Sequence, residues 1–136
     1  MKNYSRILLL RISFWLGAVI DGFVAVQLLL PNFWASFDGL KAYEPSTSLN
    51  FALGIASALM FGWTFLLIWA DRKPLERKGV LLLTVVPVIL GLALNNVSAV
   101  ASGLRPLQST LPELGLQAGI VVLFMFSYLN VRLVTE

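Results

Sequence analysis

Long apolar runs alternate with short polar segments along this chain. Four runs stand out, and we expect helices at residues 7–30, 49–70, 79–101 and 113–134. Each run is close to the ~20 residues that an α-helix needs to cross about 30 Å of hydrocarbon. A segment inside a bilayer has to satisfy its own backbone hydrogen bonds, which favours a helix for every run. The pattern predicts an all-α fold, an integral membrane four-helix transmembrane bundle.

The connections between the runs differ in length and character. Residues 71–78 form a compact charged loop, whereas residues 31–48 form the longest connection. Within that connection Phe33, Phe37 and Leu40 recur at helical spacing. We expect a short amphipathic helix that anchors the loop at the membrane surface, in preference to a lid or docking surface.

The distribution of positive charge predicts the orientation of the bundle. Of the ten Lys and Arg residues, only Lys41 and Arg105 lie on the side of the 31–48 loop. The other eight lie on the opposite side: Lys2, Arg6, Arg11, Arg72, Lys73, Arg77, Lys78 and Arg132. Cytoplasmic segments carry an excess of Lys and Arg. We therefore expect an N-in/C-in protein of the cell membrane, with residues 71–78 cytoplasmic and 31–48 external.

The amino-acid composition excludes several kinds of functional site. Hydrophobic residues make up 58% of the chain and charged residues 12%, which favours a single membrane domain over residues 1–136. The absence of Cys and His removes thiolate nucleophiles, zinc sites and a His general base. The net charge of +3 is explained by the topology, because the positive residues flank the apolar runs. We expect no cofactor, no metal and no nucleic-acid partner.

The charged turn carries a resemblance to a known group. Residues 69–84 read WADRKPLERKGVLLLT. This segment resembles the cytoplasmic turn of a group of small prokaryotic four-helix integral membrane proteins with no known activity. The resemblance covers most of the chain. It implies the four-helix fold, implies no activity, and identifies no functional residue.

Polar residues at the ends of the runs have structural interpretations. Thr110 and Glu113 have the spacing of a capping box at the start of the fourth helix, with Pro112 in its first turn. In the charged turn we expect the Asp71 side chain to cap the turn and Glu76 to pair with a basic neighbour. The turn serves topology in this interpretation, in preference to binding anionic lipid.

Asp21 is the most informative residue, because it lies near the middle of the first run. A carboxylate at that depth costs about 2.5–3.5 kcal/mol on insertion scales, so Asp21 should not face lipid. Gly17, Ala18 and Ala25 share its helical face and allow another helix to approach closely. We expect Asp21 to point into the bundle as the neutral acid. We also expect a hydrogen-bond partner in the third run at 84–88, where Pro87 frees a carbonyl.

Other polar residues could extend a site around Asp21. Thr84 and Asn95 belong to a small and polar stripe along the third run, and Ser57 lies in the second run. The stripe consists of Thr84, Val88, Gly91, Asn95, Ala99 and Ser102. Ser, Thr and Asn side chains in membranes usually join neighbouring helices by hydrogen bonds, which we favour here over a polar cavity. For Asp21 both interpretations stay open.

Small residues mark two further faces. Gly54, Ala58 and Gly62 recur every four residues in the second run, and Gly115 and Gly119 form a GxxxG motif in the fourth. Such spacings allow close helix packing. We expect Gly54, Ala58 and Gly62 to contact another helix of the bundle, so that Ala58→Leu weakens folding by about 1–3 kcal/mol.

Two functions follow from these observations. The first is a non-enzymatic accessory or assembly subunit that binds partner helices, with which a lipid-like ligand in the bundle is compatible. The alternative is a small oligomeric transporter or channel in which Asp21 is an intramembrane proton or cation site. An enzyme is disfavoured, because one intramembrane carboxyl supplies little acid–base chemistry. The expected partners are membrane lipids and a homo-oligomer or larger membrane complex.

Overall fold

The computed structural model describes residues 2–30, 32, 36 and 46–135, and four long helices account for most of these residues. They are α1 (Lys2–Leu29), α2 (Thr47–Asp71), α3 (Gly79–Ala101) and α4 (Leu107–Thr135). All four are long and apolar enough to cross a membrane, which indicates a multi-pass membrane protein. The prediction of four spanning helices is confirmed. The predicted amphipathic helix, with Phe33, Phe37 and Leu40, lies outside the described residues.

Two helices begin earlier than their apolar runs. α1 already includes the polar residues from Lys2 onward, and α4 begins at Leu107, directly after Pro106. The predicted capping box was therefore wrong. Thr110 lies inside α4 and its hydroxyl donates to the carbonyl of Pro106 at 3.1 Å. Pro112 lies within the helix rather than in its first turn, because Pro106 ends the preceding loop and lets the helix start there.

α1 lies at the centre of the packing, against α2 and α4. Gly17 is buried where a Cβ atom would lie 3.0 Å from Phe124 Cζ and 3.1 Å from Leu67 Cδ1. One turn earlier, the hydroxyls of Ser13 and Ser127 are 2.7 Å apart. The core around these contacts consists of Leu10, Phe14, Ala18, Leu67, Ala70, Leu81, Val85, Ile89, Ile120, Phe124 and Val131. Residue numbers rise along α1 as they fall along α4, so the two helices are antiparallel.

The middle of α3 is a π-helical turn. It covers Thr84–Ile89 and contains Pro87, between α-helical segments at Gly79–Leu83 and Leu90–Ala101. The N–H of Leu90 donates to the carbonyl of Val85, five residues earlier. Pro87 has no N–H and its ring clashes with the preceding turn of a regular α-helix, and a wider turn relieves that clash.

This turn changes which residues of α3 face the bundle. Thr84 is buried as expected, but Asn95 and Gly91 are exposed, and Asn96 is buried in place of Asn95. A π turn holds about one residue more than an α turn, so every later residue is rotated by about 100°. The predicted stripe assumed a regular helix, and its second half was therefore wrong.

The predicted packing of the small-residue faces within the bundle was also wrong. A Cβ atom added at Gly54 or Gly62 in α2 would meet nothing within 4 Å, and Ala58 between them is exposed. Gly115 and Gly119 of α4 are equally open. Close approach inside the bundle is provided by Gly17 of α1, whereas these glycines of α2 and α4 face outward.

Among the glycines of the bundle, Gly17 should be the one on which stability depends most. Gly17→Val places side-chain atoms against Phe124 and Leu67, both fully buried, and we expect a loss of about 1–3 kcal/mol of unfolding free energy from overpacking. Gly62→Val is the matched control, since nothing lies near its Cβ position. Unfolding of both variants in detergent micelles measures the difference. Equal losses would contradict this packing.

Candidate functional site

Asp21 faces the interior of the bundle, as predicted. Only 8% of the residue is exposed, and the flanking residues Gly17, Ala18 and Ala25 are buried on the same face of α1. Its Oδ2 atom is buried and has no hydrogen-bond partner among the described residues. A buried polar atom without a partner is uncommon in folded proteins, and it marks this residue as the first candidate for function.

The predicted partner of Asp21 on α3 is already engaged. Thr84 Oγ1 accepts a hydrogen bond from Trp63 Nε1 at 3.1 Å and donates to the carbonyl of Val80 at 2.8 Å. No hydrogen bond joins it to Asp21 among the residues that the structure describes. The expected hydrogen bond between Asp21 and residues 84–88 was wrong, and the Thr84 hydroxyl bonds instead to Trp63 of α2 and to Val80.

The hydroxyl of Ser57 joins two helices, whereas that of Thr64 bonds within α2. Ser57 is buried and donates to the carbonyl of Ala25 at 2.7 Å, which connects α2 to the C-terminal half of α1. Thr64 donates to Met60 within its own helix at 2.9 Å and lies beside Gly22. The predicted site residues Ser57 and Thr84 are therefore buried, but each is committed to a different partner.

A polar network that the sequence analysis missed joins α3 to α4. The guanidinium of Arg105 donates to Asn96 Oδ1 at 2.8 Å and to Glu113 Oε2 at 3.0 Å. Asn96 Nδ2 donates to Glu113 Oε1 at 2.8 Å, which closes the triangle. Only 9% of the Arg105 side chain is exposed, against 39% of Glu113. We call Asn96, Arg105 and Glu113 the α3–α4 triad. The feature of the sequence that pointed to this triad was the pair of opposite charges, Arg105 and Glu113, on either side of Pro106.

A second charged cluster joins α1 to α2 at the opposite end of the bundle. Arg11 Nε and Nη2 donate to the two carboxylate oxygens of Asp71 at 3.0 and 3.1 Å. Trp15 Nε1 also donates to Asp71, at 3.1 Å. Asp71 was expected to cap the turn, but its carboxylate is used by this cluster. Arg11 was visible in the sequence as a charge that interrupts the first apolar run, yet its partner is 60 residues away.

The charged turn beyond Asp71 is held by local contacts. Lys73 pairs with Glu76 at 3.0 Å, which confirms that Glu76 pairs with a basic neighbour. The guanidinium of Arg77 lies 3.3 Å from the ring centroid of Trp69 and donates to its carbonyl oxygen. A cation over an indole face is favourable and positions the turn against α2.

A second unpartnered polar atom lies in α4. Gln117 Oε1 is buried and makes no hydrogen bond to any described residue. Gln117 comes one helical turn after Glu113 and one turn before Ile120 on the same side of α4. It therefore lies between the α3–α4 triad and the level of Asp21.

The described residues offer no group of three or more His, Cys, Asp or Glu side chains that could hold a metal ion. Comparison with protein-family models, curated proteins and solved structures finds no match to this chain. The resemblance of residues 69–84 to small prokaryotic membrane proteins thus stays a prediction. The candidate site rests on its own geometry: a buried carboxyl in α1, a buried amide in α4, and an ion-paired cluster at each end of the bundle.

Adjacent asparagines test both the triad and the π turn. Asn96→Ala removes the group that donates to Glu113 and the oxygen that accepts from Arg105. We expect a loss of about 1–3 kcal/mol of unfolding free energy. Asn95→Ala, the control, alters an exposed side chain and should change that free energy by less than about 0.5 kcal/mol. Unfolding in micelles distinguishes them. The reverse order would mean that α3 continues as a regular α-helix.

Proposed function

We propose that this chain is a non-enzymatic multi-pass protein of the cell membrane that binds helices of partner proteins as an accessory or assembly subunit. The observation that carries the proposal is the outward direction of its small residues. Gly54, Ala58 and Gly62 follow one line along α2, and no other part of the described chain covers the two glycines.

In lipid, apolar side chains gain little by leaving the bilayer, so helices associate mainly through close packing. Small residues supply the grooves that such packing needs. Phe51 and Phe65 lie near the two ends of the Gly54–Gly62 line and are also exposed. A groove bounded by two aromatic rings is suited to the side chains of an incoming helix. Gly115 and Gly119 give α4 a second outward groove.

The proposed topology places both termini in the cytoplasm. Its support is the eight-to-two division of Lys and Arg between the two sides of the bundle. Trp15 and Trp69 are about half exposed near the Arg11–Asp71 cluster, where an interfacial aromatic belt would lie. The α3–α4 triad then lies on the external side.

The test of partner binding uses a substitution that leaves the bundle itself intact. Ala58 is exposed, so Ala58→Leu should change the unfolding free energy of the purified protein little, while filling the groove. We expect the larger complex extracted from native membranes to be replaced by the free protein. Ala52→Leu makes the same change at an exposed position on another side of α2 and should retain the complex. An unchanged complex in Ala58→Leu would refute this groove.

A second candidate function rests on a separate observation. The unpartnered Oδ2 of Asp21 favours an oligomeric transporter or channel in which this carboxyl binds a proton or cation. Four helices enclose little space by themselves, so a pathway would involve further copies of the chain.

For this second function, Asp21→Asn is the informative variant. Asn keeps the shape of the side chain but cannot exchange a proton, so we expect the protein to fold and proton flux in proteoliposomes to fall to the level of empty vesicles. Ser57→Ala, which removes a hydrogen bond between helices, should keep its flux. Flux that survives Asp21→Asn, or an unmodified protein without flux, would exclude transport through Asp21.

A further inference from the structure

The helix contacts place Asp21 at a defined height. Ser13 faces Ser127 and Gly17 faces Phe124, so continuing the antiparallel register brings Asp21 level with Ile120. Gln117 lies seven residues from Phe124, or about 10.5 Å along the axis, and Asp21 lies about 6 Å from Gly17. Asp21 and Gln117, each with one unpartnered oxygen atom, are thus separated by about 4–5 Å along the bundle axis, and Gln117 is the nearer of the two to the α3–α4 triad.

The two directions away from Asp21 differ in character. Toward the Arg11–Asp71 end the space is closed, because Phe124 and Leu67 pack against Gly17 at distances that admit no water. Toward the other end come Gln117 and then Glu113, whose side chain is 39% exposed. The polar side chains that lead from Asp21 past Gln117 to the surface therefore lie on the side away from the Gly17 contact.

Both of these unpartnered oxygen atoms can accept a hydrogen bond. Gln117 Oε1 is an acceptor, and so is an oxygen of the Asp21 carboxyl. A water molecule has two hydrogens to donate, and buried water is found where polar groups would otherwise lack partners. The nearby Thr84 hydroxyl and Trp63 indole are already used, because the indole donates to the hydroxyl and the hydroxyl donates to Val80.

The geometry points to a narrow water-filled pocket between α1, α3 and α4, which opens beside Glu113, passes Gln117 and ends at Asp21. Its ligand is water together with the proton that water delivers to the carboxyl. The pocket deepens the second candidate function, on whose Asp21 site it rests. The pocket is closed at Phe124, so water reaches Asp21 from one side of the membrane only. One copy of the chain therefore has no continuous pathway across the membrane.

Cysteine accessibility tests the pocket, since the chain has no Cys of its own. Gln117→Cys should react with a membrane-impermeant methanethiosulfonate added to one side of sealed vesicles. Gly119→Cys is the control at nearly the same depth, but it faces outward with nothing within 4 Å. Ser102→Cys, just beyond the end of α3, identifies the side on which the pocket opens. Thiolates form in water, so we expect Gln117→Cys to react on the order of tenfold faster than Gly119→Cys.

The side from which the reagent acts is part of the result. Modification of Gln117→Cys from the side that labels Ser102→Cys supports the pocket. A rate no faster than that of Gly119→Cys, or modification only from the opposite side, overturns it.

A second measurement leaves the pocket unmodified. At an acidity that protonates carboxyl groups, the infrared spectrum of the native protein minus that of Asp21→Asn isolates the Asp21 C=O band. In D₂O this band should shift to lower frequency within the mixing time, and more slowly in Gln117→Leu. A band that stays unshifted for hours overturns the pocket. Rapid exchange in a protein without flux would refute transport and leave the pocket standing.

Discussion

The close approach of α1 to α2 and α4 at Gly17 is the contact on which the bundle depends. Leu67 and Phe124 meet there over a residue with no side chain, at distances that leave no room for a methyl group. In a bilayer such packing is the main attraction between helices, since lipid is as apolar as the side chains. The contact sets the register of three helices and places Asp21 one turn farther along α1, in the interior.

Two charged clusters hold the ends of the bundle, each joining helices that follow one another in the chain. Arg11 and Asp71 connect α1 with α2, and the α3–α4 triad connects the other pair at the opposite end. In both, an arginine forms two parallel hydrogen bonds or bridges two acceptors, which its planar guanidinium favours. Because each arginine is matched by a carboxylate, these clusters use charge for structure, and among the described carboxyl groups Asp21 is the one without such a partner.

Between the ends, Pro87 determines the inner face of α3. The wide turn that accommodates it rotates the following helix by about one residue, so Asn96 joins Arg105 and Glu113 while Asn95 turns outward. A regular helix would have brought Asn95 to the inner face and turned Asn96 away from Arg105 and Glu113. The proline thus acts on the triad from more than two helical turns away.

The sequence by itself determined the number of helices, their membrane length and the inward direction of Asp21. These depend on hydrophobicity and on the cost of a carboxyl in lipid, which are properties of single residues and their local spacing. Only the tertiary structure decided the partners: Asp71 for Arg11, Trp63 for Thr84 and Glu113 for Asn96. It also decided which small residues face inward, Gly17 in place of Gly54 or Gly62. Each of those choices depends on the relative rotation of helices, and a π turn or the presence of a better-packing neighbour changes that rotation without changing the hydrophobic pattern from which the helices were predicted.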